Sequence, residues 1–311
     1  MEIRHLRHFI ALAEEGKFTS AAQRMNIVQS GLSVSIKELE QELGSQLFTR
    51  TTRKVSLTAA GELFLEHARG CLALLNDGVQ AVRSQDGVVR GRLHLGILQS
   101  LTPYVPLATL LQRFHSSFPQ VEFGVRALST ETAPALVRSA YVDLSFQAII
   151  GKERWPGVQV IPYAQDSLVA ICSSKHVLAK SSSVRLEMLR HESFVDLTPE
   201  RALRKLVDQV FTQHHLMRSS VYQVSDIETQ LHFVAHGLGV AIVPSALARS
   251  ATASHHLHTL RILSPTPKLP KWRIAILTRP KRNDFPRKTT VELFLDTLAE
   301  LSRMPKPTDD T

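Results

Sequence analysis

Four polar side chains, Gln29, Ser33, Lys37 and Gln41, recur at four-residue steps, while Leu32, Ile36 and Leu39 share the opposite face of the helix this spacing predicts. Glutamine and serine in the early turns of a helix lying in the major groove can hydrogen-bond base edges, so the pattern fits sequence readout of DNA. Ser30, Lys37, Arg50, Arg53 and Lys54 are of the types that contact phosphate oxygens, which fix register without reading sequence. A solvated amphipathic helix in a small bundle would show the same polar face, and the residues alone leave that reading open. Catalytic chemistry has less to stand on. The chain holds no His-Glu-x-x-His, no Gly-x-Ser-x-Gly and no glycine-rich phosphate loop ending in Lys-Ser or Lys-Thr. Gly237-x-Gly239 lacks a third glycine and follows a helix, so it reads as a helix-to-strand turn. The pairs His214-His215 and His255-His256 have no carboxylate or cysteine at ligand spacing, and no metal or cofactor is expected.

Short helices must carry that polar face. Leu6, Phe9, Ile10 and Ala13 are at helical spacing before Gly16, and Thr19 is placed to cap a second helix bearing Ala21, Ala22 and Met25. A brief link through Asn26, Ile27 and Val28 leads into the third helix, which makes a helix-turn-helix. Leu47 and Phe48 then face Val55 and Leu57 across the basic tip 51–54, as a small hairpin or wing. From Thr58 onward Leu65, Ala68, Leu72, Leu75, Val79 and Val82 form a heptad seam that asks for a partner helix.

The seam ends in a glycine-containing hinge at 87–92. Beyond it strand and helix signals alternate, which predicts an α/β domain with largely parallel sheets, long enough for two subdomains. Several of its helices are expected to start after a strand on a hydroxyl cap: Thr102-Pro103, Ser129 or Thr130, Thr198-Pro199, and Ser225 with Glu228. A cleft lined by such helix N-termini favours an anion, although each hydroxyl serves equally well as a cap alone.

Composition bounds these readings. A chain of 311 residues with 43% hydrophobic content can bury real cores, which excludes general disorder. No apolar run approaches the roughly 18 residues of a spanning helix, and charges flank the first apolar stretch, so a soluble, cytoplasmic protein without a membrane partner is expected. Cys71 and Cys172 are too few for a disulfide framework and read as small packing thiols. The net charge of +9 does not locate the DNA site. Residues 1–58 hold eight basic and six acidic side chains, whereas 268–288 hold eight and one, read as a solvated basic surface.

The stretch Phe9 to Ala68 resembles the LysR-type transcriptional regulators. The resemblance rests on Phe18-Thr19-Ser20-Ala21-Ala22, Gln29-Ser30, Ile36 with Leu39-Glu40, Leu43-Gly44 with Leu47-Phe48 and Arg50, and Leu57-Thr58 with Ala60-Gly61. Weaker pieces follow in Gly91-Arg92-Leu93, Phe118-Pro119-Gln120-Val121, Asp143-Leu144, His176 with Leu178, and His236 to Pro244. It implies a winged helix-turn-helix over 1–58, a dimerising linker helix over 59–86 and a periplasmic-binding-protein-like α/β effector domain over 93–304. Subdomain I would take about 93–162 and 267–304, subdomain II about 163–266, and 305–311 a disordered tail. Two positions depart from the family pattern: Val28 stands where a capping Ser or Thr is usual, and Val34 where Arg is frequent, facing outward and able to meet a thymine methyl.

By the same resemblance, a small-molecule effector, expected to be a carboxylate, lies between the subdomains against Gln99, Ser100, Thr102, Ser129, Thr130, Phe146, Gln147, Thr198 and Asp226. The implied partners are double-stranded promoter DNA with an interrupted dyad, a second copy of the chain, a dimer of dimers (homotetramer), and RNA polymerase. The implied function is sequence-specific transcriptional regulation modulated by the effector. A non-specific architectural DNA binder and, more remotely, an enzyme are the alternatives; binding that ignores sequence at physiological salt would mark the former.

Overall fold

Leu6, Phe9 and Leu12 fall on one side of α1 (Ile3–Glu15), which stops at Gly16 with φ of 63°, a left-handed conformation open to glycine without strain. The structure, a computed structural model, describes residues 1–50, 55–83, 88–151, 153–252, 256–263, 268–280 and 289–303. α2 (Phe18–Arg24) starts one residue before Thr19 with Lys17 in the cap position, so Thr19 is a first-turn residue and not the expected cap. The chain reverses at Asn26, which has positive φ, into α3 (Gln29–Leu43), where Leu32, Ser35, Ile36 and Leu39 are buried. β1 (Phe48–Arg50) and β2 (Val55–Leu57) pair antiparallel with Phe48 opposite Leu57, forming the expected wing.

The Phe9 ring lies 5.3 Å from Phe48 and 5.1 Å from Phe64, so α1 is packed at once on the wing and on α4 (Ala59–Arg83). Thr58 caps α4, its Oγ1 accepting the Gly61 N–H at 3.0 Å and donating to the Gln46 carbonyl at 2.7 Å. A Cβ on Gly61 would sit 2.1 Å from the Leu47 carbonyl oxygen, so only glycine lets the long helix start this close to the wing.

Residues 88 and 89 lead into β3 (Arg90–Ile97), followed by α5 (Leu107–Ser117), β4 (Gln120–Ala127), α6 (Ala133–Arg138), β5 (Leu144–Ile149) and β6 (Gln159–Asp166). Then come β7 (Leu168–Ser173), β8 (Ser183–Arg185), α7 (Leu186–Leu189), β9 (Ser193–Leu197), α8 (Ala202–Gln213), β10 (Ser219–Val224) and α9 (Ile227–Ala235). β11 (Ala241–Pro244), α10 (Ser245–Thr252), β12 (Leu257–Leu263), β13 (Trp272–Thr278) and α11 (Thr290–Arg303) complete the order. The hinge expected over 87–92 is therefore shorter, because Arg90, Gly91 and Arg92 already pair with Gln120, Val121 and Glu122.

One sheet has the order β4-β3-β5-β13-β6 and the other β11-β7-β12-β8, with β9 and β10 joined to the second through a bridge from Phe194 to Val240. The sheets are mixed rather than largely parallel. β3 pairs in parallel with β4 and β5 through helical crossovers, but β13 returns from the other subdomain and runs antiparallel to both β5 and β6. β6 extends to Asp166, so the subdomain crossing falls at Ser167 and not near 162.

The expected helix caps shift as well. Leu101 to Val105 form a turn, which delays α5 until Pro106 holds its cap position and leaves Thr102 outside. Thr198 likewise belongs to a turn ahead of α8, whose cap position is Arg201. Thr132 stands at the cap position of α6, and Asp226, not Ser225, caps α9 by accepting the Thr229 N–H, since an ionised carboxylate is the stronger acceptor there.

Candidate DNA-reading surface and effector cleft

On α3 the residues Gln29, Ser30, Val34, Lys37 and Gln41 are exposed and Ser33 is half-buried. Gln29 Oε1 accepts a hydrogen bond from Thr19 Oγ1 at 3.3 Å, tying the start of the helix to α2. Val28 occupies the cap position of α3 without a side-chain hydrogen bond, 71% exposed, and Val34 is 55% exposed. Glu40 anchors the other end, its Oε1 accepting the N–H groups of Leu47 at 2.9 Å and Phe48 at 3.2 Å, so helix and wing move together. Arg50 ends β1, while Arg53 and Lys54 lie outside the described residues.

The seam expected along α4 divides in two. Ala68 is 1% exposed within the core of the DNA-binding domain, and Leu65 and Leu72 pack against that core, so these residues are not a bare dimer face. The reason is local: α1 already lies along the first half of α4. Past that point Leu74, Leu75, Val79 and Val82 are exposed and, with Cys71 and Gly78, line a shallow apolar groove. Cys172 is buried, and desolvation with the nearby Glu192 charge pushes its thiol up to about 11, an inert group at neutral pH.

Of the residues expected to meet the effector, Gln99 and Thr102 are exposed and Ser100, Ser129, Thr130 and Thr198 half-buried. Thr130 Oγ1 donates to Gln147 Oε1 at 3.2 Å, and Gln147 Nε2 donates to Ser145 Oγ at 2.9 Å, a chain joining the loop after β4 to β5. Ser129 Oγ accepts the Thr132 N–H at 3.2 Å and serves the turn into α6. Phe146 and Gln147 are both fully buried on β5 and face opposite ways, Phe146 into the core with its ring 5.8 Å from Tyr163 and Gln147 toward Ser145 and Thr130, so neither is open to a ligand. Asp226 is likewise committed elsewhere. Its carboxylate accepts the Thr229 N–H at 2.8 Å and hydroxyl at 2.9 Å, which holds it below the usual carboxylate range and commits it to the start of α9.

Three cleft features escaped the sequence reading. Lys205 of α8 forms an ion pair with Glu131 across the mouth between the subdomains. Arg201 stands at the start of α8 beside Asp226, with its Nε buried and lacking a hydrogen-bond partner. At the crossing, Asp166 accepts hydrogen bonds from Tyr104 OH at 2.9 Å, Ser245 Oγ at 2.6 Å, and the N–H groups of Ala246 and Ser167, both at 2.7 Å. Burial alone would raise the Asp166 carboxyl, but those bonds outweigh it and hold it below the ordinary value. Arg201 at the cap position of α8 and Lys205 one turn inside it carry no capping signal in the sequence.

The late basic segment is not a purely solvated surface. Lys271 Nζ donates to Ser167 Oγ at 2.8 Å, Arg273 Nη2 to the Ile150 carbonyl at 3.3 Å, and Arg279 Nη2 to Asp143 at 3.2 Å; residues 281–288 lie outside the described residues. Among the described residues no group of three or more His, Cys, Asp or Glu is placed to hold a metal ion, and no helix is long and apolar enough to cross a membrane.

A winged helix-turn-helix, a long helix and a two-lobed α/β domain define a DNA-binding protein carrying its own ligand-binding module. The family models agree: the bacterial regulatory helix-turn-helix of the lysR family matches residues 3–62, and the LysR substrate binding domain matches residues 86–303. The HTH-type transcriptional regulator AlsR of Bacillus subtilis is 32% identical over 249 residues, 79% of this chain and 81% of the relative. The regulator ShiR of Corynebacterium glutamicum is 35% identical over 246 residues, 78% and 82% of the two chains. Among solved structures, a full-length OxyR variant from Pseudomonas aeruginosa superposes with a TM-score of 0.70 at 26% identity, covering 96% of this chain and 94% of that one. The chain belongs to the LysR family of transcriptional regulators, with a helix-turn-helix domain for DNA and an effector-binding domain.

Proposed function

We propose that the effector is a small carboxylate held in the cleft by Arg201 and Lys205, with Ser100 and Thr130 as orienting hydroxyls. The observation that carries this reading is the Glu131 to Lys205 ion pair: a carboxylate of the protein itself occupies the cation at the mouth, and Arg201 stands nearby with an unused buried donor. A free carboxylate would displace Glu131 and could take the Arg201 Nε–H, since guanidinium and carboxylate form charge-assisted bonds stronger than neutral ones. Binding would favour one setting of the two subdomains, because a ligand shifts an equilibrium only by its differential affinity for the two states.

Two copies would pair through the exposed second half of α4, at Leu74, Leu75, Val79 and Val82, and set two recognition helices on successive half-sites. In that arrangement Gln29, Ser33 and Val34 read bases, Ser30, Lys37, Arg50, Arg53 and Lys54 hold phosphates, dimers pair into tetramers, and the protein acts in the cytoplasm on RNA polymerase at the promoter. The test is a thermal-shift screen of small carboxylic acids and their amides. An acid should raise the melting temperature of the wild type, its amide should not, and Arg201→Gln should remove the shift. An acid and amide with equal effects would refute an anionic site.

A further inference from the structure

We infer that Glu66 and Arg69 lock the linker helix α4 onto subdomain I, and that this lock carries motion of the loop after β4 to the helix-turn-helix. Arg138, the last residue of α6, forms a two-pronged pair with Glu66, its Nη2 donating to Oε2 at 3.1 Å and its Nε to Oε1. Three residues further along α4, hence on the same face, the Arg69 guanidinium lies over the Tyr141 ring at 4.4 Å. The other cation on that ring is Arg126 of β4, 5.0 Å from the centroid, whose Nη1 donates to the Tyr141 hydroxyl at 2.6 Å.

Arg69 also reaches the other way. Its Nη2 donates to Glu14 Oε1 of α1 at 2.7 Å, and the second oxygen of Glu14 pairs at 2.7 Å with Arg24, the last residue of α2 before the turn into the recognition helix. The side chain of Arg69 is only 13% exposed and its Nε is buried without a hydrogen-bond partner. Holding a guanidinium in that state is costly unless its charge and plane are both matched. Glu14 matches the charge and Tyr141 the plane, one from each half of the molecule, so Arg69 is satisfied only while the halves are docked.

The far side of the lock is the effector cleft. α6 is six residues long and follows directly on Ser129 to Thr132, the turn that contains Glu131 with its ion pair to Lys205. Ala133 and Val137 are fully buried against β5 and β13, so a shift of that turn reaches Arg138 only if this short helix slides over the sheet as one body. The end of α6 that bears Arg138, and Tyr141 just after it, would then move against Glu66 and Arg69. The route is a contiguous set of packed contacts, and coupling along it is what an experiment must show. The inference rests on contacts within the chain and holds whatever the chemistry of the effector.

The test uses the full-length protein on a DNA site recovered from its genome, reading amide hydrogen exchange of residues 62–70 and 134–138 together with the length of DNA protected from cleavage. Glu66→Arg and Arg138→Glu, each alone, should raise exchange in both segments by up to about fivefold and change the protected length, and the two together should restore both readouts. Arg69→Lys, which keeps the charge for Glu14 but loses the planar stacking on Tyr141, should change the protected length while folding normally. Unaltered exchange in the single variants, or no recovery in the double one, would overturn the lock. Normal footprints in all variants would overturn its role in coupling.

Discussion

On the recognition helix the polar side chains Ser30, Lys37 and Gln41 stand out into solvent, and even the apolar Val34 is exposed. Among the residues proposed for the effector the polar groups are engaged: Thr130 with Gln147, Ser129 with the turn of α6, Thr198 with Glu200, Lys205 with Glu131. The contrast reflects two kinds of recognition. A surface that meets phosphates and base edges can stay hydrated and rigid until the partner arrives. A cleft that must answer a ligand with movement has internal contacts for the ligand to replace, and those contacts define the state the ligand opposes.

The largest expected effect tests whether charge in the effector half is structural. Arg218 and Asp196 are 6% and 5% exposed, bonded at 3.0 Å, with Arg218 also held by Asp208 and lying over the Phe194 and Phe211 rings. Asp196→Ala leaves a buried cation with half its partners and should cost about 3–5 kcal/mol in denaturant unfolding. In the DNA-binding half, Gln29→Ala should lose about 1–3 kcal/mol of discrimination between a specific site and shuffled DNA, leaving non-specific binding unchanged in a competition assay. Val28→Ser should supply the missing cap of α3 and stabilise the domain by about 0.5–2 kcal/mol, read as a higher melting temperature with the same DNA preference.

The smallest effect concerns the crossing. Asp166 has a folded pKa below its unfolded value near 3.9, so it contributes stability above that value and loses it as pH falls through the folded pKa. A stability profile from pH 6 downward should show this loss, and Asp166→Asn should flatten it.

The DNA-binding half was legible in the sequence because its signals are local. Leu32, Ile36 and Leu39 repeat within one helix, and Thr58 and Gly61 act within one turn. Val28 leaves α3 without a side-chain cap, as its type implies, since a cap is decided by the side chain at one position. The cleft was half legible. Alternating strands and helices gave the α/β class, but the antiparallel return of β13 depends on where a distant strand enters the sheet. The resemblance points Phe146 at the effector, but it lies within β5, where strand alternation sends it to the core. Glu131 with Lys205, Asp166 with Ser245, and Arg69 with Glu14 join residues 74, 79 and 55 positions apart, and no short-range pattern marks them.

The most direct test of the account is capture of fragmented genomic DNA by the purified protein at about 150 mM salt, followed by sequencing of what is retained. A sequence-reading regulator should enrich a few intergenic sites that share an interrupted dyad, with Gln29→Ala losing the enrichment but not the bulk binding. Retention spread evenly over the genome, the same for wild type and variant, would contradict it.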